Sequence, residues 1–405
     1  MDFGAVGQPL TRPLVEPPPA GQRDPRPGLS GVPLSELGQW VVERGYAAYR
    51  ARQMASHVWT ACAIGSTELS SLPAELRGEV EEHFRLDTLC ATDVQPADGG
   101  LTVKALHRLD DGSAIESVLM RYPARGPRRQ RATVCISSQA GCAVGCPFCA
   151  TGELGFGRDL TTAEIVDQAR YWRRQLAGEG RRLTNVVFMG MGEPLLNLDR
   201  VLEAAAALTD PRRFGLGARH VTISTSGVLP GIERLIEEKP QYTLAVSLHA
   251  ARPALRDVLV PLNRRYPVSD VVEAAARYAR VTGRRVTYEY VLIDGINDTR
   301  DDAGELARLI GGQPAHVNLI PMNPVAHTPW QPSPPARADA FAALLRGAGV
   351  RTTIRRNRGL EVGAACGQLA ADRAGEPAPA AVARRRQLLV DQSAGALAGR
   401  QPSVG

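Results

Sequence analysis

From residue 131 to residue 355, short apolar runs of strand length alternate with amphipathic stretches of helical period. The strand-like runs are Thr133–Ser137, Asn185–Met189, His220–Ser224, Thr243–Leu248, Val286–Val291 and His316–Ile320. Helical periodicity falls between them, near 162–177, 198–209, 230–238, 269–282 and 302–310. Thr161-Thr162-Ala163-Glu164 reads as a capping box for the first of these helices. Strands alternating with helices predict parallel βα units and an α/β fold, either a doubly wound sheet or a partial barrel. In both arrangements, chemistry belongs at the carboxyl ends of the strands.

The chain before residue 131 has another character. Leu34, Leu37, Val41 and Val42 follow helical spacing, as do Ala51, Met54, Ala55 and Val58, and Pro73 stands near the start of a further helix. Residues 99–122 alternate as a hairpin about the turn Asp110-Asp111-Gly112. Residues 1–30 hold seven prolines and little periodicity, and residues 371–405, rich in Ala, Gly, Pro and Arg, read as a loose tail with at most one short helix. The expected division is a disordered tail (1–30), a helical accessory domain (31–95), a β-hairpin extension with a basic loop (96–130), the βα domain (131–370) and a disordered tail (371–405).

Composition changes this picture little. The formal charge of +6 and pI near 9.1 lean towards nucleic acid. Lys104 and Lys239 are the only lysines, however, and Arg, Ala, Gly and Pro abound. That bias reflects coding composition, so the arginine excess does not by itself signal RNA. Arg125, Arg128, Arg129 and Arg131 form a basic loop that could meet phosphates or simply stay solvated, and Arg121 just before it, with Arg355, Arg356 and Arg358, adds further candidates for phosphate contacts. Seven cysteines in 405 residues do not make a secreted disulfide scaffold. Neither a signal peptide nor a membrane-length apolar run is present. A soluble cytoplasmic protein is expected.

Four of the seven cysteines crowd into residues 135–149, and three of them read Cys142-x3-Cys146-x2-Cys149. A structural zinc site wants four protein ligands, and no His or further Cys in this stretch supplies the fourth. Three thiolates on a four-iron cluster would leave one iron open to a small molecule. Phe148 would lay an apolar ring over such a cluster. Polar motifs also follow the predicted strands: Gly190-Met191-Gly192-Glu193-Pro194, Ser224-Thr225-Ser226-Gly227, Ser247-Leu248-His249, and Asn323. Each alone reads as ordinary loop capping. Together, at strand ends, they suit the ammonium, ribose and adenine edges of a nucleoside ligand. Cys366 stands between small residues, with its sulfur accessible.

The cysteine spacing resembles the cluster loop of the radical S-adenosylmethionine (SAM) superfamily, and the Gly-Glu-Pro turn resembles that superfamily's SAM-amino motif. Ala364-Ala365-Cys366-Gly367-Gln368-Leu369, Cys135 and Glu116 further resemble the radical SAM RNA adenine-C2 methyltransferases, over roughly residues 33–370. The resemblance selects the partial (β/α)6 barrel. It implies a [4Fe-4S] cluster on Cys142, Cys146 and Cys149. It implies SAM held by Gly192, Glu193, Ser224, Ser247, Leu248, His249 and Asn323, with two SAM used per turnover. It implies Cys366 as methyl carrier, Glu116 as base, and Cys135 as the thiol that releases product through a transient disulfide. The implied partners are 23S rRNA, tRNA and an electron donor such as flavodoxin or ferredoxin, and the implied state is a monomer.

The segment between Glu116 and Cys135 is longer and more Arg-rich than is usual in that family. Leu360-Glu361-Val362-Gly363 also stands where acidic positions are common. Methylation at adenine C8, a metal-stabilised RNA-binding protein without catalysis, and a radical SAM enzyme acting on a small molecule are the competing readings.

Overall fold

The computed structural model describes residues 24–124, 130–355, 357–370, 387 and 389–395. The described residues fall into two compact units. The first takes residues up to 140 together with 158–190 and 197–221; the second takes 141–157, 191–196 and residues from 222 onward.

The first unit opens with α1 (Leu34–Glu43), α2 (Tyr49–Ala55) and α3 (Ala74–His83). Leu37, Val41, Met54, Leu76 and Val80 are fully buried, so the helical spacing of the apolar positions marks the packed face. The strands β1 (Cys90–Ala97), β2 (Thr102–Arg108), β3 (Ala114–Tyr122) and β4 (Arg131–Cys135) follow as an antiparallel meander. The short β5 (Gln139–Gly141) and β6 (Phe156–Asp159) form a two-stranded ribbon, with α4 (Ala150–Leu154) between them in sequence. Next come α5 (Thr162–Gly178), β7 (Asn185–Phe188), which pairs parallel with β4, and α6 (Leu198–Thr209). The predicted capping box is present, with the Thr161 side chain accepting from the Glu164 N–H and the Glu164 carboxylate accepting from the Thr161 N–H.

Arg170 of α5 ties the helical segment to this sheet. It is 2% exposed, pairs with Asp167, and donates to the carbonyls of Val58 and Leu86 at 2.8 and 3.0 Å. Asp167 in turn accepts from the Thr88 hydroxyl at 2.7 Å. A buried charge satisfied in this way fixes one docking geometry, because removing either partner strands the other.

The second unit is a run of parallel strands. β8 (Val221–Thr225), β9 (Thr243–Ser247), β10 (Val286–Leu292), β11 (Ala315–Pro321) and β12 (Arg351–Ile354) pair in that order. The helices between them are α7 (Leu229–Glu238), α8 (Pro253–Leu259), α9 (Val268–Thr282), α10 (Arg300–Leu309) and α11 (Pro335–Gly347). The six expected strands and five expected helices all form, within a residue or two of their expected ends.

Some expectations change. β1, α8, α11 and β12 were not foreseen. β1 carries Asp93, Gln95 and Pro96 and a register shift between Ala91 and Asp93, which together erase its alternation. Arg121, grouped with the basic loop, belongs instead to the buried face of β3. It is 6% exposed, pairs with Glu179 and donates to the Gly100 carbonyl at 2.9 Å. Arg125, Arg128, Arg129 and Arg356 lie outside the described residues. Within the tail expected to be disordered, residues 389–395 are helical, and Leu389 is 2% exposed in the apolar group that holds Phe148. Its apolar side chain packs there the one short helix for which the tail's composition left room.

Candidate active site

The cysteine loop of the second unit is shaped by backbone before any ligand is considered. Gly141 takes a left-handed φ of +80°, and a Cβ there would stand 2.0 Å from the Gly155 carbonyl oxygen. That approach lets the Cys142 N–H donate to Gly155 at 2.7 Å and closes the loop at its base. Inside, the Cys149 N–H donates to the Cys146 carbonyl at 3.0 Å. The three thiol residues pack against Val144, Phe148, Leu255, Leu259 and their neighbours, an apolar wall. Burial pushes all three thiols up, Cys142 to about 12, and the other two thiols of the trio push Cys146 further.

The Cys366 segment lies directly on this loop. The Ala150 N–H donates to the Gly367 carbonyl at 2.6 Å, and the Thr151 hydroxyl donates to the Leu369 carbonyl at 2.6 Å. Gly367 has φ +83°, and a Cβ would meet the Phe148 oxygen at 3.2 Å, so only glycine fits so close a crossing. Asn323 Nδ2 holds the Cys366 carbonyl at 2.8 Å. Charge on Cys366 is felt at Cys149.

The strand-end residues converge on the same unit. Glu193, 4% exposed, accepts from the Ser226 N–H and hydroxyl at 2.7 Å each, and from the Leu195 N–H at 3.1 Å. Burial pushes its carboxyl up, against those hydrogen bonds. Gly192 beside it has φ +97°. Ser224 is buried, Ser247 half-buried, and Leu248 fully buried with its N–H donating to the Glu289 carbonyl at 2.9 Å. His249 sits in the left-handed region at φ +61°. A non-glycine residue pays roughly 1 kcal/mol or more for that. Val291 N–H donating to its Nδ1 at 3.1 Å, and Asn297 Nδ2 donating to its carbonyl at 2.8 Å, hold it there. Its ring meets Phe148 edge-on, with centroids 4.7 Å apart. Burial lowers its pKa to about 3, so the imidazole is neutral.

Sequence reasoning missed Arg256. Its side chain is fully buried and donates to the carbonyls of Leu248, Ser226 and Ser247 at 2.9, 2.7 and 3.3 Å, and to Asn263 Oδ1 at 3.0 Å. It binds the ends of β8 and β9 together beside the thiols. Burial lowers its pKa to about 10, while Cys146 works in the opposite direction. Arg256→Met strands these acceptors and is expected to cost about 3 kcal/mol of stability, read from denaturant unfolding of the metal-free protein. Ser247 belongs to a polar row with Glu289, Asn318 and Thr353, one residue from each of four adjacent strands, and those three were also missed. Asn318 Nδ2 donates to Glu289 there at 2.9 Å. A single polar residue inside a strand pattern carries no signal until the register aligns several.

The other two candidates belong to the first unit. Glu116 of β3 is 3% exposed, and Lys104 Nζ lies 2.7 Å from its Oε1. Cys135 of β4, 7% exposed, stands opposite Val118 of β3. Since directly paired residues share a face and side chains alternate along a strand, Glu116 and Cys135 point to the same face of that sheet. All seven cysteines are free thiols.

Two observations bear on which ligands fit. Among the described residues, no three His, Cys, Asp or Glu side chains converge on a single metal ion. Ligands of one zinc must do so, whereas an iron cube offers each sulfur its own iron. The donor set of three half-buried thiols against an apolar wall, costly as thiolates until a cationic cluster joins them, fits the cube. Asn323 Oδ1 is buried with no hydrogen-bond partner, an acceptor in place for a ligand N–H or O–H. The residues therefore fit both groups.

Residues 136–310 match the Radical SAM superfamily. The chain is also similar to a solved radical SAM methyltransferase from Sphaerobacter thermophilus, 44% identical with a TM-score of 0.82, over 85% of this chain and 100% of that one. The fold and the three-thiol loop thus define a radical SAM methyltransferase with the partial-barrel α/β fold, a class that works with a [4Fe-4S] cluster and SAM.

Two curated relatives narrow the class. Each is described as a "Probable dual-specificity RNA methyltransferase RlmN". That of Parafrankia sp. (strain EAN1pec) is 48% identical over 87% of this chain and 94% of its own length. That of Moorella thermoacetica is 48% identical over 84% of this chain and 96% of its own. The chain belongs to the RlmN family of dual-specificity RNA methyltransferases, enzymes that methylate RNA with SAM.

Proposed function

We propose that this enzyme methylates carbon 2 of adenine, in 23S rRNA near the peptidyl transferase centre and in tRNA just 3′ of the anticodon, through a methyl carried on Cys366. The docking of the Cys366 segment on the cysteine loop is the observation that supports this reading most. Carbon 2 is an electron-poor sp2 carbon, so the electrophilic methyl of SAM cannot transfer to it directly, and a radical route is required.

Cys142, Cys146 and Cys149 would hold the cluster. Glu193 would accept from the SAM ammonium; Gly192, Ser224, Ser247, Leu248, His249 and Asn323 would line its ribose and adenine. Bound there, the cluster would supply one-electron chemistry, an electron given for the reductive cleavage of SAM and one accepted when the adduct rearomatises. The Cys366 thiolate first accepts a methyl from one SAM by polar displacement. Loss of a hydrogen atom from that methyl to the radical derived from a second SAM lets Cys366 bond to adenine C2 through its methylene. Glu116 takes the C2 proton. Cys135 then attacks the Cys366 sulfur: an S–S bond forms, and the S–CH2 bond breaks with its electron pair going to the methylene, which takes a proton and leaves as methyl.

An adenine entering the barrel mouth leaves its stack at a cost of roughly a few kcal/mol. Arg131, whose guanidinium stacks 4.0 Å from the Tyr122 ring, together with Arg355 and Arg358, would offset this through phosphate contacts. Among the described residues, no helix is long and apolar enough to cross a membrane. The enzyme would act as a cytoplasmic monomer with flavodoxin or ferredoxin as its electron donor.

The regiochemistry is tested by digesting RNA treated anaerobically with reconstituted enzyme and separating the nucleosides by mass spectrometry. 2-Methyladenosine is expected. 8-Methyladenosine would move the chain to the C8 reaction, with which the cysteine set is shared.

A further inference from the structure

Two of the 48 basic residues are lysines, and one of them, Lys104, is placed on Glu116. The Nζ to Oε1 distance is 2.7 Å, with the side chains 15% and 4% exposed. Register explains the meeting. Lys104 pairs with Val118, which pairs on its other side with Cys135, while Glu116 pairs with Leu106. Lys104, Val118 and Cys135 thus form one cross-strand row, with Glu116 on the diagonal. Asp93, Arg108 and Arg131 face the same side from β1, β2 and β4. Asp93 accepts from Gln95, and Arg131 is stacked on Tyr122.

We propose that Lys104 is a positioning residue for the base of the methyl transfer, holding the Glu116 carboxylate in one orientation for the C2 proton. The inference rests on the reading of Glu116 as that base. A long side chain without a fixed contact samples several rotamers. The charge-assisted bond from an ammonium removes that freedom at one oxygen. In the step itself the C2–H bond breaks, its electron pair stays in the ring, and the proton moves to a Glu116 oxygen. Lys104 keeps its own protons and touches no reacting atom. Arginine serves almost every other cationic position in this chain, so a lysine here fits a need for a compact point charge.

The test uses the reconstituted full-length enzyme carrying Lys104→Ala. Expected are a fall in kcat of about a hundredfold, within the range of lost general-base assistance, an unchanged KM for RNA, normal methylation of Cys366, and accumulation of a covalent protein–RNA adduct. Ethylamine added to the assay is expected to restore turnover, and sodium chloride at equal ionic strength is not. Native-like turnover, a rise in KM alone, loss of Cys366 methylation, or no response to the amine would each overturn the proposal. Glu116→Gln, run in parallel, separates the two readings. If it turns over normally, Glu116 is not the base; if it stalls while Lys104→Ala does not, only the role of Lys104 falls.

Discussion

Cys366→Ala is expected to reduce RNA methylation by roughly a thousandfold or more, to background, as removal of an essential covalent group does. Alanine keeps every contact that places this segment. Asn323 binds the carbonyl of residue 366, Ala150 binds the carbonyl of Gly367, and Thr151 binds that of Leu369. None of these uses the sulfur. The variant should therefore load iron and sulfide to the native level and still cleave SAM to 5′-deoxyadenosine. What it lacks is the atom that carries the methyl. Mass spectrometry of the native protein incubated with SAM should find one added methyl on Cys366, and the variant should have none there. An alanine variant that methylates RNA at the native rate would remove the carrier and the mechanism with it.

Strands β8 to β11 of the second unit were legible in sequence because each is a short apolar run bounded by turn residues and followed by a helical stretch, whereas β12, with Arg351, Thr352 and Thr353 among its four residues, was not. The cysteine loop was legible because ligand spacing is set locally. Features that depend on register were not. Arg121 reads as part of an Arg-rich loop, yet it lies in β3, where residues 115–121 are buried on both faces, and shares a face with Ser117 and Leu119. Glu289 and Asn318 are two ordinary polar residues 29 positions apart until β10 and β11 pair. The same holds for Lys104, whose meaning appears only when β2 lies beside β3. Arg256 is one arginine in a chain full of them. Its burial and its hold on two strand ends come from packing of α8, a helix too short to show a period. Leu389 was hidden in a stretch whose composition signals disorder.

Cys135→Ala is expected to stop turnover at a different place, with the RNA bonded to the protein. The substitution removes one buried sulfur from β4, a change worth about 1 kcal/mol of stability in a sheet that keeps its ladder. Methylation of Cys366, splitting of the second SAM, addition to adenine and removal of the C2 proton do not call on Cys135. Each should proceed once. Release does call on it, because the S–CH2 bond of the adduct breaks only when a thiolate takes the sulfur. The adduct should then accumulate towards one RNA per protein, visible as a retarded band on a denaturing gel, while free methylated RNA stays below one equivalent. Glu116→Gln is also expected to yield an adduct, and once the masses of the two substitutions are allowed for, the two adducts differ by the C2 proton that Glu116 removes. Adding Cys366→Ala to either variant should abolish the band, since the bond to RNA starts at that sulfur. Normal multiple turnover by Cys135→Ala, with no retarded species at any time point, would mean that product leaves by another route and that β4 contributes a structural thiol only.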